Sequence, residues 1–162
     1  MRDRRQNTAV DRTEARPWAA VHPPRAREAT LALRTFQEHL GPVQQRPSTW
    51  RFAIVALHSA LKYSLQAKLM ADSPTAQLTD DVLALFRGVG EMMPELPQVT
   101  EAIQRLDHMR WRCLSKQLSL WPVERKQLPA LCLDVLKVMR RLRVNQGDLL
   151  LQAVTDQLSF QK

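Results

Sequence analysis

Over residues 49 to 71 the apolar and small positions Phe52, Ala53, Ala56, Leu57, Ala60, Leu61, Ser64 and Leu65 recur at steps of one, three and four. That spacing puts them on one face of an α-helix. A helix of this length with one wide apolar stripe must bury the stripe against other elements. The small residues within it let a neighbouring helix come close. The rest of the chain supplies helices to do so. Leu and Ala dominate, glycine occurs four times, and the Val/Ile/Thr alternation of strands is almost absent. The expected fold is all-α, a small helical bundle of about five to six helices with a flexible basic N-terminal arm.

The punctuation divides the chain accordingly. Residues 1–24 carry Arg2, Arg4, Arg5, Arg12 and Arg16, few apolar residues except Trp18, and then Pro23-Pro24. They read as an arm, which either reaches for phosphates or is a solvated tail. Residues 25–160 read as one domain. Its first helix is expected over Ala26–Leu40, with Leu33, Phe36 and Leu40 on one face and Gly41-Pro42 as the stop. Ser48 is expected to cap the long helix, and Asp72-Ser73-Pro74 to end it. Thr79 is expected to cap a third helix, with Asp80 and Asp81 in its first turn and Leu83, Phe86 and Val89 inward. A fourth is expected over about 98–118, with Val99, Ile103, Leu106, Arg110 and Cys113 on one stripe. Pro129 is expected to open a fifth through about Arg143, carrying Leu131, Cys132, Val135, Val138, Met139 and Leu142. Asn145-Gln146-Gly147 stops it. Asp148 would cap a short last helix with Leu150, Val154 and Leu158 on one side.

The formal net charge of +8 and a pI near 10.3 favour an anionic partner. Arginine outnumbers lysine, 18 to 6. Arginine pairs with phosphate in bidentate fashion and stacks on bases, so the bias leans toward nucleic acid. A high-GC genome would produce the same bias. Cys113 and Cys132 lack zinc-motif spacing and read as buried free thiols. No P-loop, dinucleotide fingerprint, zinc-protease motif or nucleophile elbow occurs. No cofactor and no metal are therefore expected. The N-terminus has no apolar signal core and no run is long enough to span a bilayer, so a cytoplasmic protein with no membrane partner is expected.

Two cationic groups stand out. Arg105, Arg110, Arg112 and Lys116 share the fourth helix, and Lys137, Arg140, Arg141 and Arg143 end the fifth. Cations at a helix C-terminus also suit its dipole, and solvated faces are the usual fate of such charges. If the groups shared a face, they would form a phosphate-binding groove in which Trp111 or Trp121 could stack a base. No base-reading motif is visible, so binding would be backbone-driven and salt-sensitive. Arg110 falls on an apolar stripe. It must find a partner, line a wet cleft, or snorkel from the core edge.

Two segments carry a resemblance. One is Trp50-Arg51-Phe52-Ala53-Ile54-Val55-Ala56-Leu57-His58-Ser59-Ala60-Leu61. The other runs from Ile103 to Arg110 and resumes at Leu128-Pro129-Ala130-Leu131-Cys132-Leu133-Asp134-Val135-Leu136. Together, over roughly residues 48 to 143, they resemble the opening, motif and final packing helices of bacterial HEPN ribonucleases. The resemblance implies a small, often dimeric helical bundle. In active members an arginine and a histidine, separated by roughly four to six residues, meet their counterparts in one cleft, where the imidazole moves a proton near neutral pH. A 2′-hydroxyl attacks the neighbouring phosphodiester without a metal, and the cation stabilises the phosphorane charge. Arg110 matches the arginine. Ser115, Lys116 and Gln117 stand at the three histidine spacings, and no histidine follows His108. Trp111 replaces the small polar residue often found after the arginine.

The expected function is thus a catalytically degenerate domain that binds RNA or single-stranded nucleic acid. It would be a homodimer or a subunit of a larger bacterial defence or toxin–antitoxin assembly. The alternatives are a non-enzymatic small subunit of a CRISPR-type effector complex, a partner-binding antitoxin or scaffold, and a metal-independent ribonuclease whose rearranged site uses Arg110 and His58.

Overall fold

A computed structural model describes residues 23–44, 46–73, 75, 77–115, 122–142 and 148–160. Six α-helices, and no strand, occur among the described residues: α1 Pro23–Leu40, α2 Trp50–Asp72, α3 Val82–Met92, α4 Thr100–Leu114, α5 Pro122–Leu142 and α6 Asp148–Ser159. Two single 3-10 turns, Pro42–Gln44 and Pro47–Thr49, join α1 to α2. The expected all-α bundle is therefore what the chain forms. The arm lies outside the described residues except for Pro23-Pro24, which open α1. A proline in the first helical turn loses no hydrogen bond, because that N–H has no partner there anyway.

The bundle is organised around α2. Its Ala53, Ile54, Leu57, Ala60, Leu61 and Leu65 are all fully buried. Alanines at the contact let α1 lie close along it, antiparallel: the Arg25 guanidinium sits over the Tyr63 ring, and His39 stacks on Phe52 at the other end. The same core takes in Phe36 of α1, Phe86 of α3, Ile103 of α4, Val135 of α5 and Val154 of α6. Among the described residues no helix is long and apolar enough to cross a membrane.

Several local expectations need correction. Thr49, not Ser48, precedes α2, and its hydroxyl donates to the Arg46 carbonyl rather than capping the helix. Asp81, not Thr79, caps α3: its carboxylate accepts from the amides of Leu83 and Ala84 at 3.0 and 3.3 Å. The Thr79 hydroxyl instead accepts from the Asp81 amide. A carboxylate at this position also meets the positive end of the helix dipole, so the acid displaces the hydroxyl. Asp81→Ala should cost about 0.5–2 kcal/mol in urea unfolding; an unchanged midpoint would mean that packing alone holds α3.

Helix α3 buries Val82, Leu85, Phe86 and Val89, while Leu83 is only partly covered. Helix α4 stops at Leu114, short of the expected 118, because Ser115 turns to extended backbone at ψ 151°. Pro122, not Pro129, opens α5. Pro129 lies buried within the helix. The missing N–H there costs one backbone hydrogen bond, and the core contacts of α5 override it. Leu151 joins Val154 and Leu158 on the inner face of α6, with Leu150 at its edge. Cys132 is a fully buried free thiol, as expected, and burial pushes its pKa far up; Cys113 is free but only partly buried.

Candidate nucleic-acid interface

Helices α2 and α4 also run antiparallel, and one polar contact pins them. His58 Nε2 donates to Asp107 Oδ1 at 2.8 Å, across 49 residues of sequence. His58 is 2 % exposed, and the Asp107 side chain 32 %. The histidine needs this acceptor, since a buried ring N–H left unpaired would cost on the order of 1–3 kcal/mol. Burial lowers the His58 pKa from its ordinary 6.5; the hydrogen bond to Asp107 opposes that shift, and the nearby positive charge of Arg110 reinforces it. His58 is therefore neutral at pH 7. His108 points elsewhere and is exposed.

Arg110 is half-buried, not on the innermost line of α4. Ile103, Leu106 and Met109 take that line, all at 4 % exposure or less. The expected stripe was one position out of phase at its end: Met109 points in, and Arg110 takes the flank. Arg110 is thus partly covered, and its positive charge reaches the buried His58. Ser115, at the nearest histidine spacing, donates its hydroxyl to the Arg112 carbonyl at 3.0 Å. Trp111 is 67 % exposed and Leu114 57 %. Lys116, Gln117 and Trp121 lie outside the described residues.

The cationic residues divide by place. Arg110 and Arg112 both lie near the C-terminal end of α4, two positions apart and so on different sides of the helix. Arg105, further back on α4, donates to Gln127 Oε1 at 2.6 Å and so ties α4 to α5. Lys137 pairs with Asp134 at 3.2 Å. Arg140 donates to Gln152 Oε1 at 2.7 Å, and Gln152 in turn donates to Asp156. Arg141 is exposed, and Arg143 lies outside the described residues. Thirteen residues of helix, roughly 20 Å at 1.5 Å per residue, separate Gln127 from Arg140. Lys137, Arg140 and Arg141 therefore belong to the α5–α6 hairpin, away from Arg110 and Arg112.

A further cation joins the α4 end. Arg51, in the first turn of α2, lies close enough to Cys113 for its charge to act on the thiol, as does Arg112; desolvation outweighs both and raises the Cys113 pKa. The Arg51 guanidinium also lies 4.4 Å above the centre of the Phe52 ring. Phe52 was expected in the apolar stripe, yet it is 46 % exposed. The stripe centres on Ala53, Leu57 and Leu61, which leaves Phe52 on its flank, with His39 beside it at 5.5 Å between ring centroids. Sequence reasoning passed over Arg51, His39 and Asp107 as site residues. The signal for the first two was present: a short connection between two helices makes them antiparallel, so the last turn of α1 must meet the first turn of α2.

Among the described residues no three His, Cys, Asp or Glu side chains gather as a metal site. No family model, curated protein or solved structure matches this chain.

Proposed function

We propose that this chain is a HEPN-like domain that has lost its catalytic histidine and binds RNA or another single strand through the cationic end of α4. In this reading it works as a homodimer or subunit within a bacterial defence or toxin–antitoxin assembly. The observation that carries the reading is the placement of Arg110. It is partly buried on α4 and its charge reaches His58, which is itself paired with Asp107, while Ser115 turns its hydroxyl onto the backbone. The partly buried Arg110 guanidinium offers phosphate a bidentate donor near the end of the helix that also carries Arg112. Exposed Trp111 adds a face on which a base can stack.

The same geometry favours binding over cleavage. A general base must reach the proton it takes within hydrogen-bond distance. His58 is covered and its Nε2 is already committed to Asp107. A serine hydroxyl does not shuttle protons near neutral pH.

Fluorescence anisotropy of a labelled single-stranded RNA, titrated with protein at several salt concentrations, tests this reading. The logarithm of affinity should fall with the logarithm of salt, by about 0.7 per phosphate contacted on a single strand. The Arg110→Gln, Arg112→Gln double variant should flatten that slope by about 1.4, two contacts' worth. On a denaturing gel the RNA should remain intact. Absence of salt-dependent binding would refute the reading. RNA cleavage lost in Arg110→Ala would restore the enzyme in its place.

A further inference from the structure

We infer that the outer face of α6 docks a second copy of this chain, antiparallel, through Leu149, Ala153, Asp156 and Phe160. The inference names a face for the self-association in the reading above and stands apart from strand binding. Leu151, Val154 and Leu158 turn one side of α6 into the core. On the opposite side Leu149 is 86 % and Phe160 85 % exposed, more than any other large apolar side chain among the described residues. The Phe160 amide donates to the Asp156 carbonyl at 3.3 Å, so Phe160 continues the helical turn. Eleven positions make about three turns, which sets Leu149 and Phe160 on one line with Ala153 and Asp156 between them. No residue of α4 belongs to this face, so pairing there need not cover Arg110.

The register makes the face complementary to itself. A two-fold axis midway between Val154 and Thr155 sets Leu149 of one copy against Phe160 of the other, and Ala153 against Asp156. The apolar ends then cover each other, and the alanine lets the helices approach. Charge agrees with the same register. Arg140 donates to Gln152 Oε1 at 2.7 Å, and Gln152 Nε2 donates to Asp156 Oδ1 at 2.7 Å, so guanidinium and carboxylate share one flank of the line. The two-fold keeps that flank on the same side in both copies. It brings Asp156 of each copy beside Gln152 of the other, within reach of that copy's Arg140, whose fork has further donors. A membrane surface or a purely apolar partner would instead cover the Asp156 carboxylate with nothing to answer its charge.

Sedimentation equilibrium of the full chain, without nucleic acid, reads the pairing. Each copy carries +8, so the salt is set at about 0.15 M, where repulsion beyond about 8 Å is screened. Three turns of helix are a small face against the roughly 1,200 Å² at which stable interfaces begin, so single chains should prevail near about 1 µM and pairs near about 1 mM. Leu149→Ser combined with Phe160→Ser should weaken the pair by about tenfold or more. Thermal melts of that variant at low concentration should match the wild type, because both side chains are exposed in the single chain. Asp156→Arg and Arg140→Asp should each lose pairing alone, since like charges then meet. An equal mixture of the two should recover it, because both cross-contacts again unite opposite charges. A change of fold could not produce that recovery. A chain that stays single up to about 1 mM, a pair untouched by the double serine variant, or a mixture no tighter than its components would overturn the face and leave the strand-binding reading standing.

Discussion

Leu57→Ala should lower the unfolding free energy by about 3–5 kcal/mol, the upper part of the range for leucine truncation in a core. Leu57 is completely buried in α2, the helix against which α1, α3, α4 and α5 pack. The size of the effect follows from its neighbours. One turn away on the same helix stand Ala53 and Ala60, also fully buried. Alanines have no side chain that can swing into the void, so the cavity persists, and its cost adds to the lost transfer energy. Against a typical total stability of about 5–15 kcal/mol, such a loss leaves little margin. Urea unfolding followed by circular dichroism reads the shift. Leu149→Ala is the control: at 86 % exposure Leu149 should contribute close to nothing. A Leu57→Ala loss no larger than the control's would mean that α2 is not the organising helix.

The second large effect is a dependence of stability on pH that runs through His58. Burial sets its folded pKa below 6.5. Below pH 6.5 the unfolded chain therefore takes up a proton that the folded chain holds off. Stability then falls as the pH drops through 6.5 toward the folded pKa, and it levels off below that value. The slope from one such group is at most about 1.4 kcal/mol per pH unit. His58→Gln presents a neutral amide to Asp107 and has nothing to titrate. The melting temperature of the wild type should drop more steeply than that of His58→Gln between about pH 7 and pH 5, where an ordinary histidine titrates. Carboxylates elsewhere contribute alike to both proteins and cancel in the difference. Parallel curves would show that His58 exchanges its proton as freely in the fold as outside it. Because Arg110 reinforces the lowered pKa, Arg110→Gln should also make the wild-type curve shallower.

These two effects mark how far the sequence could be read. Residues 49–71 announced a helix, and α2 is that helix, within a residue at either end. Gly41-Pro42 and Asp72-Ser73-Pro74 ended helices where they stand. Such signals are local: a helix interior is set by residues three and four apart, and a stop by one or two residues that cannot continue it. The errors lie at the margins. The chain alone made Thr79 a cap, although the carboxylate two residues on competes better for the free amides. It made Pro129 an opener, although a buried proline can sit inside a helix that tertiary contacts hold.

The candidate interface was legible only in its parts. Arg110, Arg112 and Trp111 could be named from the residues of α4 alone. The phase of a helical stripe is uncertain by about 100° per residue, the turn of one position. That uncertainty separates a buried Arg110 from a partly exposed one, and a core Phe52 from an exposed one. Packing resolved it, because Met109 and Ala53 fit the space beside α2 and α4 and their neighbours then had to face outward. The pairing of His58 with Asp107 spans 49 residues and leaves no trace in either local segment. The division of the cations into an α4 end and an α5–α6 hairpin likewise depends on where the helices lie.

The sequence by itself determined that this chain is helical, where its first two helices stop, and that it carries a large positive charge, since all three follow from residue type and short-range spacing. Only the tertiary structure decided which cations gather, which histidine is buried and which aromatic ring is left at the surface, because those outcomes depend on contacts between helices far apart in the chain.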